Sequence, residues 1–158
     1  MKEIILTIKY KHYAQLTELP EVDKKLILQS RKAVERGYAP YSGYKVGAAV
    51  LLQNGVIITG SNQENAAYPS GLCAERTALF YASSQHPNIP IIAVAISTQS
   101  DPPSDFAKPC GACRQVMAEY EDLACQPMHI ILDGPAQIIV IDGINGLLPL
   151  RFGKQEMR

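Results

Sequence analysis

The sequence predicts an α/β protein built on a mixed sheet of about five strands with helices on both faces. Apolar residues make up 47% of the 158 residues, which is enough to bury a core without disulfides. Helix-like and strand-like runs follow one another in the order α-β-β-α-β-α-β-β. The run at 91–97 is apolar throughout, as expected for a strand covered on both faces. The length fits a single domain spanning residues 1–158.

The chain opens with an N-terminal extension, residues 1–20, whose role the sequence does not assign. Our hypothesis is that it adds an edge strand to the sheet or covers a subunit interface. Apolar residues alternate with other residues in its first part, which favours a strand or an ordered arm. The alternating positions are Ile4, Leu6 and Ile8. A helix follows, because Pro20 suits a first helical turn and Gly37 can close the helix.

Two β-prone runs, 46–52 and 56–59, flank the dipeptide Asn54-Gly55. Asn-Gly at this place predicts a tight hairpin, because both turn residues need positive φ. We therefore expect the first two strands of the sheet to be an antiparallel pair.

The second half of the chain alternates between helix-like and strand-like runs. Helices are predicted over 73–84 and from near Cys110 to about 121. Between the two helices come the strand at 91–97 and then a polar, Pro-rich loop at 98–108. Two more strands are predicted at 128–132 and 137–141. Smaller expectations are that Cys125 is a small core residue and that two dipeptides are plain turns, Asp133-Gly134 and Asp142-Gly143.

Charge and composition exclude several functional classes. Lys plus Arg and Asp plus Glu number 15 each, so the basic excess typical of nucleic-acid-binding proteins is missing, and no nucleic-acid partner is expected. No apolar run is long enough to cross a membrane, and the first residues do not resemble a signal peptide. Four cysteines in such a chain indicate a reducing compartment, so the cytoplasm is the expected location.

Three of the cysteines stand at the starts of the two middle helices. Cys73 precedes one helix, and Cys110 and Cys113 begin the other. A helix N-terminus favours the thiolate, which is the form that binds zinc. Three thiolates leave the fourth tetrahedral position to water, which is the pattern of a catalytic zinc site. Glu75 is then close enough in sequence to move protons without being a ligand, as in zinc deaminases.

Such a site carries excess negative charge. Arg76 and Arg114 adjoin the cluster in sequence and are expected to donate to its sulfur atoms, Arg76 above all. Three other interpretations stay open at this point. The three cysteines could be ordinary buried thiols. Cys110 and Cys113 could instead form a redox pair. The cluster could also be a structural zinc knot that a histidine completes. The histidines that could be proposed for such a knot are His86 and His129, neither with a supporting spacing.

Several longer runs resemble the small, homotetrameric, zinc-dependent cytidine deaminases. The runs are YAPYSGYKVGAAV (38–50), GSNQENAAYPSGLCAERTALF (60–80), PCGACRQVMAEY (109–120) and GLLPLRFG (146–153). The resemblance implies a three-layer α/β/α sandwich. It also implies one Zn2+ per subunit held by Cys73, Cys110 and Cys113, with Glu75 as the catalytic proton shuttle and Arg76 supporting the ligands.

The resemblance also implies a set of substrate contacts. Asn62 and Glu64 match the pair that hydrogen-bonds the ribose hydroxyls, and the backbone N–H of Ala74 matches the donor to the carbonyl oxygen of the base. Tyr44 stands where the family usually has a Phe that stacks near the base. Two further residues match aromatic positions near a pocket shared between subunits. These residues are Tyr68 and Phe152.

The implied activity is hydrolysis of cytidine and deoxycytidine to uridine and deoxyuridine, with release of ammonia, in pyrimidine salvage. The partners expected are a small-molecule nucleoside and further copies of the chain in a homotetramer. The alternative activities are deamination of another aminated nucleoside, such as blasticidin S, and a non-catalytic zinc or thiol-redox role. The hydroxyl of Tyr44 is the departure most able to alter substrate preference.

Overall fold

A mixed sheet flanked by helices forms the frame of the protein. The computed structural model describes residues 1–99 and 105–157. Within these residues six strands are present: β1 Lys11–Tyr13, β2 Lys45–Leu52, β3 Ile57–Ser61, β4 Ile91–Gln99, β5 His129–Asp133 and β6 Ile138–Asp142. The α-helices of the same residues are α1 Glu21–Val34, α2 Ala74–Gln85 and α3 Gly111–Ala124. Part of the predicted loop at 98–108, namely 100–104, lies outside the described residues.

The sheet has the order β1-β6-β5-β4-β2-β3. β4 and β5 run parallel, and each other neighbouring pair is antiparallel. Helix α1 packs on one face, whereas α2 and α3 pack on the other, with a separate apolar cluster under each layer. The predicted α/β sandwich with a mixed sheet is therefore confirmed, and the sheet has six strands rather than about five.

The sixth strand comes from the N-terminal extension. Residues 1–10 form no strand and expose apolar side chains, with Ile4 76% and Ile5 82% accessible. The short strand β1 follows them and pairs with β6, with Lys11 opposite Val140. The Lys11 ammonium also donates to Asp142 at 3.3 Å, so Asp142 is more than the turn residue predicted. The alternation of Ile4, Leu6 and Ile8 therefore marks an arm, and the strand begins just after it.

The β2–β3 hairpin forms at the predicted place with a different turn. Gly55 has a φ of 86°, but Asn54 is not among the residues with positive φ. The Gly55 N–H donates to Leu52 O and the Leu52 N–H donates to Val56 O, both at 2.9 Å. This is a three-residue loop with glycine in the left-handed position, which forms a bulge. The tight hairpin was predicted correctly, but positive φ at both turn residues was wrong.

Two glycines bring the helices close to the sheet. A Cβ on Gly47 of β2 would lie 2.2 Å from Ser30 O of α1. On the other face, a Cβ on Gly60 of β3 would lie 2.5 Å from Ala78 N of α2. Only glycine allows such an approach. The contact at Gly60 presses the first turns of α2 against the sheet, which places the helix start over the strands.

The helices begin and end near the predicted residues. Cys73 and Cys110 are the N-cap residues of α2 and α3, as the sequence indicated. Cys125 closes α3 in the left-handed conformation and is exposed, so its predicted place in the core is wrong. A helix C-terminus carries unpaired carbonyls that need water or a turn, which favours the surface. Among the described helices none is both long and apolar enough to cross a bilayer.

Candidate metal centre and substrate cleft

Three cysteine sulfurs converge where the N-termini of α2 and α3 meet. The Sγ atoms of Cys73 and Cys110 are 3.8 Å apart, and those of Cys110 and Cys113 are 3.5 Å apart. All three lie within 4.8 Å of one another, and in the described part of the chain this is the one such group of potential metal ligands. The N-cap residues make no side-chain capping bonds, so their sulfurs are available to a metal.

The spacing of the sulfurs fits a tetrahedral zinc ion. Zn–S bonds of about 2.3 Å at tetrahedral angles place two sulfurs about 3.8 Å apart. The observed separations of 3.8 and 3.5 Å agree with that value. The described residues add no fourth histidine, cysteine or carboxylate ligand to the cluster. A site with three protein ligands and one open position is the catalytic type.

The histidines proposed for a structural knot lie elsewhere. His86 caps the far end of α2, so about 18 Å of helix separates it from the cysteine cluster. The two ring nitrogens of His129 face Asp142 at 2.6 Å and Asp23 at 3.1 Å. Neither histidine can complete the cluster in this fold.

The electrostatics of the cluster favour a thiolate at Cys73. Hydrogen bonding from Cys113, with further donation from Arg76, lowers the pKa of Cys73 to about 5. The same contact with Cys73 raises the pKa of the Cys113 thiol. Metal binding needs thiolates, so a cluster that already holds one negative sulfur is suited to a cation.

The two arginines beside the cluster behave differently. Arg76 Nη2 donates to Cys73 Sγ at 3.6 Å, in agreement with its expected place. Its buried Nε has no hydrogen-bond partner among the described residues. Arg114 instead donates to two carbonyl oxygens, Pro109 O at 2.9 Å and Leu147 O at 2.7 Å. The prediction that Arg114 donates to sulfur is therefore wrong, and its guanidinium fixes the backbone in front of Cys110.

Glu75 is the second residue of α2 and is 4% exposed. Burial raises the pKa of its carboxyl to about 7, and the nearby Cys73 sulfur acts in the same direction. A carboxyl in this range can both take and give a proton near neutral pH. The side chain lines the same cleft as Cys73 and Cys110.

The cleft beside the cysteines has a volume of about 360 Å³. Of the predicted substrate contacts, four residues line it: Tyr44, Asn62, Glu64 and Tyr68. Among the described lining residues, Ala74 and Phe152 are missing. Ala74 is the first residue of α2, where a backbone N–H has no partner within the helix and is free to meet a ligand. Phe152 is 59% exposed and lies outside the cleft of the single chain.

Asn62 and Glu64 organise one wall of the cleft. The Asn62 amide donates to Tyr44 O at 2.8 Å and accepts from the Val46 N–H at 2.9 Å. Glu64 accepts from the Tyr41 N–H at 2.9 Å and from the Ser42 hydroxyl. These bonds hold the pKa of Glu64 below its usual value, with Ser42 as the main cause. Both side chains thus fix the aromatic segment around Tyr44 and keep further hydrogen-bonding capacity for a ligand.

Sequence reasoning missed several polar residues of the cleft, Ser42 and Lys108 among them. Ser42 lies inside the run YAPYSGY, and its role depends on Glu64, which is 22 residues away. Lys108 stands two residues before Cys110 and holds its ammonium 4.8 Å from the centre of the Phe106 ring. Its place next to the Pro109-Cys110 pair was the available signal.

Comparison with known proteins agrees with this geometry. The family profile described as "Cytidine and deoxycytidylate deaminase zinc-binding region" matches residues 20–126. The chain belongs to this family. Its N-terminal residues through Leu19, and with them β1, precede the matched region.

Individual relatives extend the match over most of the chain. A cytidine deaminase of Halalkalibacterium halodurans is 42% identical over 133 residues, which are 84% of this chain and 95% of that protein. One from Sporosarcina psychrophila is 41% identical over 135 residues, 85% of this chain and 93% of that protein. The crystal structure of a cytidine deaminase from Burkholderia pseudomallei superposes with a TM-score of 0.71 at 38% identity, covering 81% of this chain and 97% of that one.

Proposed function

We propose that the protein is a zinc-dependent hydrolase that deaminates cytidine and deoxycytidine to uridine and deoxyuridine and releases ammonia. One observation carries the proposal, namely three cysteine sulfurs within 4.8 Å of one another beside a cleft that also holds a buried carboxyl, Glu75. Membership of a zinc-binding deaminase family and similarity to proteins named cytidine deaminase support it.

Cys73, Cys110 and Cys113 are the proposed ligands of one zinc ion per subunit. When bound, zinc acts as a Lewis acid that makes water a usable nucleophile at neutral pH. Arg76 is proposed to offset the negative charge of the sulfurs through its bond to Cys73. The positive ends of α2 and α3 meet at the same place and act in the same direction.

Glu75 is the proposed proton carrier. Its carboxylate takes a proton from the water that attacks C4 of the pyrimidine and delivers this proton to N3. The carboxyl group then moves a second proton to the exocyclic amino nitrogen, which leaves as ammonia while C4 keeps the oxygen. The burial of Glu75 keeps bulk water away from both transfers.

The remaining cleft residues are proposed to hold the nucleoside. The Ala74 N–H would donate to the carbonyl oxygen of the base, and Tyr44 would stack near the base. Asn62 and Glu64 would bind the sugar hydroxyls with the hydrogen-bonding capacity that their loop contacts leave. Deoxycytidine keeps the 3′-hydroxyl and can use the same pair.

The assembly belongs to the same proposal. Phe152 and Leu150 are 59% and 93% exposed in the single chain, and Tyr68 is 77% exposed at the cleft mouth. Such apolar exposure supports self-association of the chain. We propose that the assembly is a homotetramer in which Phe152 reaches the cleft of a neighbouring subunit. Residues 1–158 are proposed as one catalytic domain with 1–20 as its extension. The four free thiols support a reducing location in the cytoplasm. The proposed conversion of cytidine to uridine supports a role in pyrimidine salvage.

Deamination of another aminated nucleoside is the second candidate. It is favoured by Tyr44, whose side chain lines the cleft and carries a hydroxyl that a phenylalanine would lack. A larger or differently substituted base could use that hydroxyl as a hydrogen-bond partner.

A panel of substrates distinguishes the two candidates. The zinc-loaded protein is incubated with cytidine, deoxycytidine, cytosine, cytidine monophosphate, adenosine and blasticidin S, and ammonia release is measured for each. The proposal predicts that cytidine and deoxycytidine react fastest. Preferred turnover of blasticidin S would support the second candidate, and no turnover of any compound would contradict both.

A further inference from the structure

A buried polar network lies on the sheet face opposite the cleft and centres on Asp133, the last residue of β5. Asp133 is 5% exposed. Its carboxylate accepts from Arg31 Nε at 2.8 Å and from Arg31 Nη2 at 2.7 Å. The Ser97 hydroxyl of β4 donates to the same carboxylate at 2.7 Å. Asp133 was predicted to be a plain turn residue, and the structure shows a buried carboxylate that joins α1 to two strands.

A second hydroxyl, that of Ser30 in α1, adjoins the network. Ser30 Oγ lies 2.6 Å from Ser97 Oγ and donates to Ile27 O at 2.8 Å. Ser97 has a single proton, and its charge-assisted bond to Asp133 is the stronger use of it. The Ser30–Ser97 contact thus packs α1 against β4 beside the Asp133 carboxylate.

The main chain of Asp133 holds the segment that leads to the metal centre. Its carbonyl oxygen accepts from the Ala107 N–H at 2.8 Å. At the next residue, a Cβ on Gly134 would lie 1.9 Å from Asp105 O, so the two backbones are in direct contact. The segment 105–109 leaves this contact and runs directly into Cys110. Arg114 secures its other end through Pro109 O.

The network also supports the cleft through β4. Ile96 and Thr98 line the cleft, and Ser97 between them points to the opposite face, as alternation along a strand requires. Asp133 thus contacts both β4, the strand below the cleft, and the segment that precedes Cys110.

We infer that Asp133 is a positioning residue that fixes Cys110 for metal binding through the Arg31–Asp133–Ser97 network. The hydrogen bonds to its carboxylate hold Asp133 in place. Its carbonyl oxygen can then accept from the Ala107 N–H, three residues before Cys110. This inference rests on the proposed role of Cys110 as a zinc ligand. Removal of a residue that orients a metal ligand lowers zinc affinity. Here Asp133 is connected to Cys110 through the backbone and not by a direct side-chain contact.

Zinc transfer from the holoenzyme to an excess of a chelating dye measures this effect. Asp133→Asn keeps the shape of the side chain but removes the charge that Arg31 and Ser97 bind. Ser97→Ala removes one donor and leaves the carboxylate in place, so it stays informative if Asp133→Asn does not fold. We expect both variants to release zinc about three- to tenfold faster than the unmodified protein, with Asp133→Asn the faster.

Leu26→Ala is the matched control for loss of stability. Leu26 is buried in the core cluster of the same face and is outside the network. Zinc release from Leu26→Ala should be as slow as from the unmodified protein, even if its melting temperature falls as far as that of Ser97→Ala. Equal release rates in Ser97→Ala and Leu26→Ala would overturn the positioning role.

Cys110→Ala separates this inference from the proposed function. If Cys110→Ala retains zinc as tightly as the unmodified protein, the proposed ligand set fails and the inference fails with it. If Cys110→Ala loses zinc while Asp133→Asn and Ser97→Ala release it at the normal rate, the ligand set stands and the positioning role alone is overturned.

Discussion

Glu75 shows how one residue acquires its chemistry from its place in the fold. It stands in the first turn of α2, where acidic residues are common because the helix N-terminus is positive. That position alone predicts nothing about catalysis. The close contact between α2 and Gly60 buries the first turns of the helix, which leaves the carboxyl 4% exposed beside Cys73.

Glu75→Gln tests the proton-carrying role. The amide cannot take a proton from water, but the three sulfurs are unchanged. We expect the variant to keep its zinc and to lose about 10²- to 10⁴-fold in kcat. Cytidine turnover and bound zinc are measured on the same sample.

Glu119→Gln is the control, because Glu119 is exposed on α3 and the charge change is the same. It should retain full activity. Near-normal kcat in Glu75→Gln would contradict the mechanism, and loss of zinc there would mean that the carboxylate is a ligand.

Ser42→Ala tests whether the bond between Ser42 and Glu64 fixes the wall of the cleft around Tyr44. The Ser42 hydroxyl donates to Glu64 and also accepts from the Tyr44 N–H at 3.0 Å. Without it, the segment that carries Tyr44 loses its link to the carboxylate, so binding should weaken more than chemistry. We expect KM for cytidine to rise about three- to tenfold with little change in kcat. Ser84→Ala is the control, because Ser84 is exposed near the end of α2, and both constants should be unchanged in it. A loss confined to kcat in Ser42→Ala would contradict a role of Ser42 in substrate binding.

At the scale of the element, local signals located the helices better than the ends of the sheet. The cysteines at the starts of α2 and α3 could be identified from the sequence because helix start signals are local. The hydrogen bonds of Arg114 and Asp133 could not, since each joins residues far apart in the chain: Leu147 lies 33 residues from Arg114, and Arg31 lies 102 residues from Asp133. Such contacts depend on packing that no local pattern encodes.

Strand β1 begins just after the run that was predicted to be a strand or an ordered arm. It pairs three residues with β6 at the edge of the sheet, and each cross-strand pair contributes a fraction of a kcal/mol. We expect removal of residues 1–13 to lower the free energy of unfolding by about 1–2 kcal/mol and the melting temperature by about 3–6 °C.

Removal of residues 1–9 is the matched control, because it leaves β1 in place. It should change the melting temperature less than removal of 1–13. Thermal unfolding followed by circular dichroism measures both variants. An equal loss in the two would show that the exposed arm, and not the strand, stabilises the fold.

At the scale of the whole molecule, the sandwich brings together cysteines that lie 37 residues apart in the sequence. Cys73 and Cys110 cap two helices on the same face of the sheet, and their sulfurs meet at 3.8 Å. The order of helix and strand signals was enough to predict this layered architecture, because each element satisfies a local pattern. The order of strands in the sheet and the pairing of β1 with β6 depend on contacts between distant residues, so they became visible only in the structure.

A metal that joins α2 to α3 should stabilise the whole fold. Zinc binds the native arrangement of the three sulfurs, which the unfolded chain lacks, so binding raises the free energy of unfolding. We expect complete removal of zinc to lower the melting temperature by at least about 5 °C, and added zinc to restore it. Calorimetry on the metal-free and reloaded protein measures the change, with Cys125→Ser as a control that should behave like the unmodified chain. An unchanged melting temperature would contradict a metal link between the helices.

In the proposed function, the cysteine cluster and the cleft together form the active site of a zinc-dependent cytidine deaminase. The most direct test follows the ultraviolet spectrum of cytidine as it is mixed with the protein as purified, after chelation, and after zinc is added back. We expect conversion to uridine that chelation abolishes and zinc restores. Conversion that persists in protein shown to be free of metal, or no conversion in fully zinc-loaded protein, would contradict it.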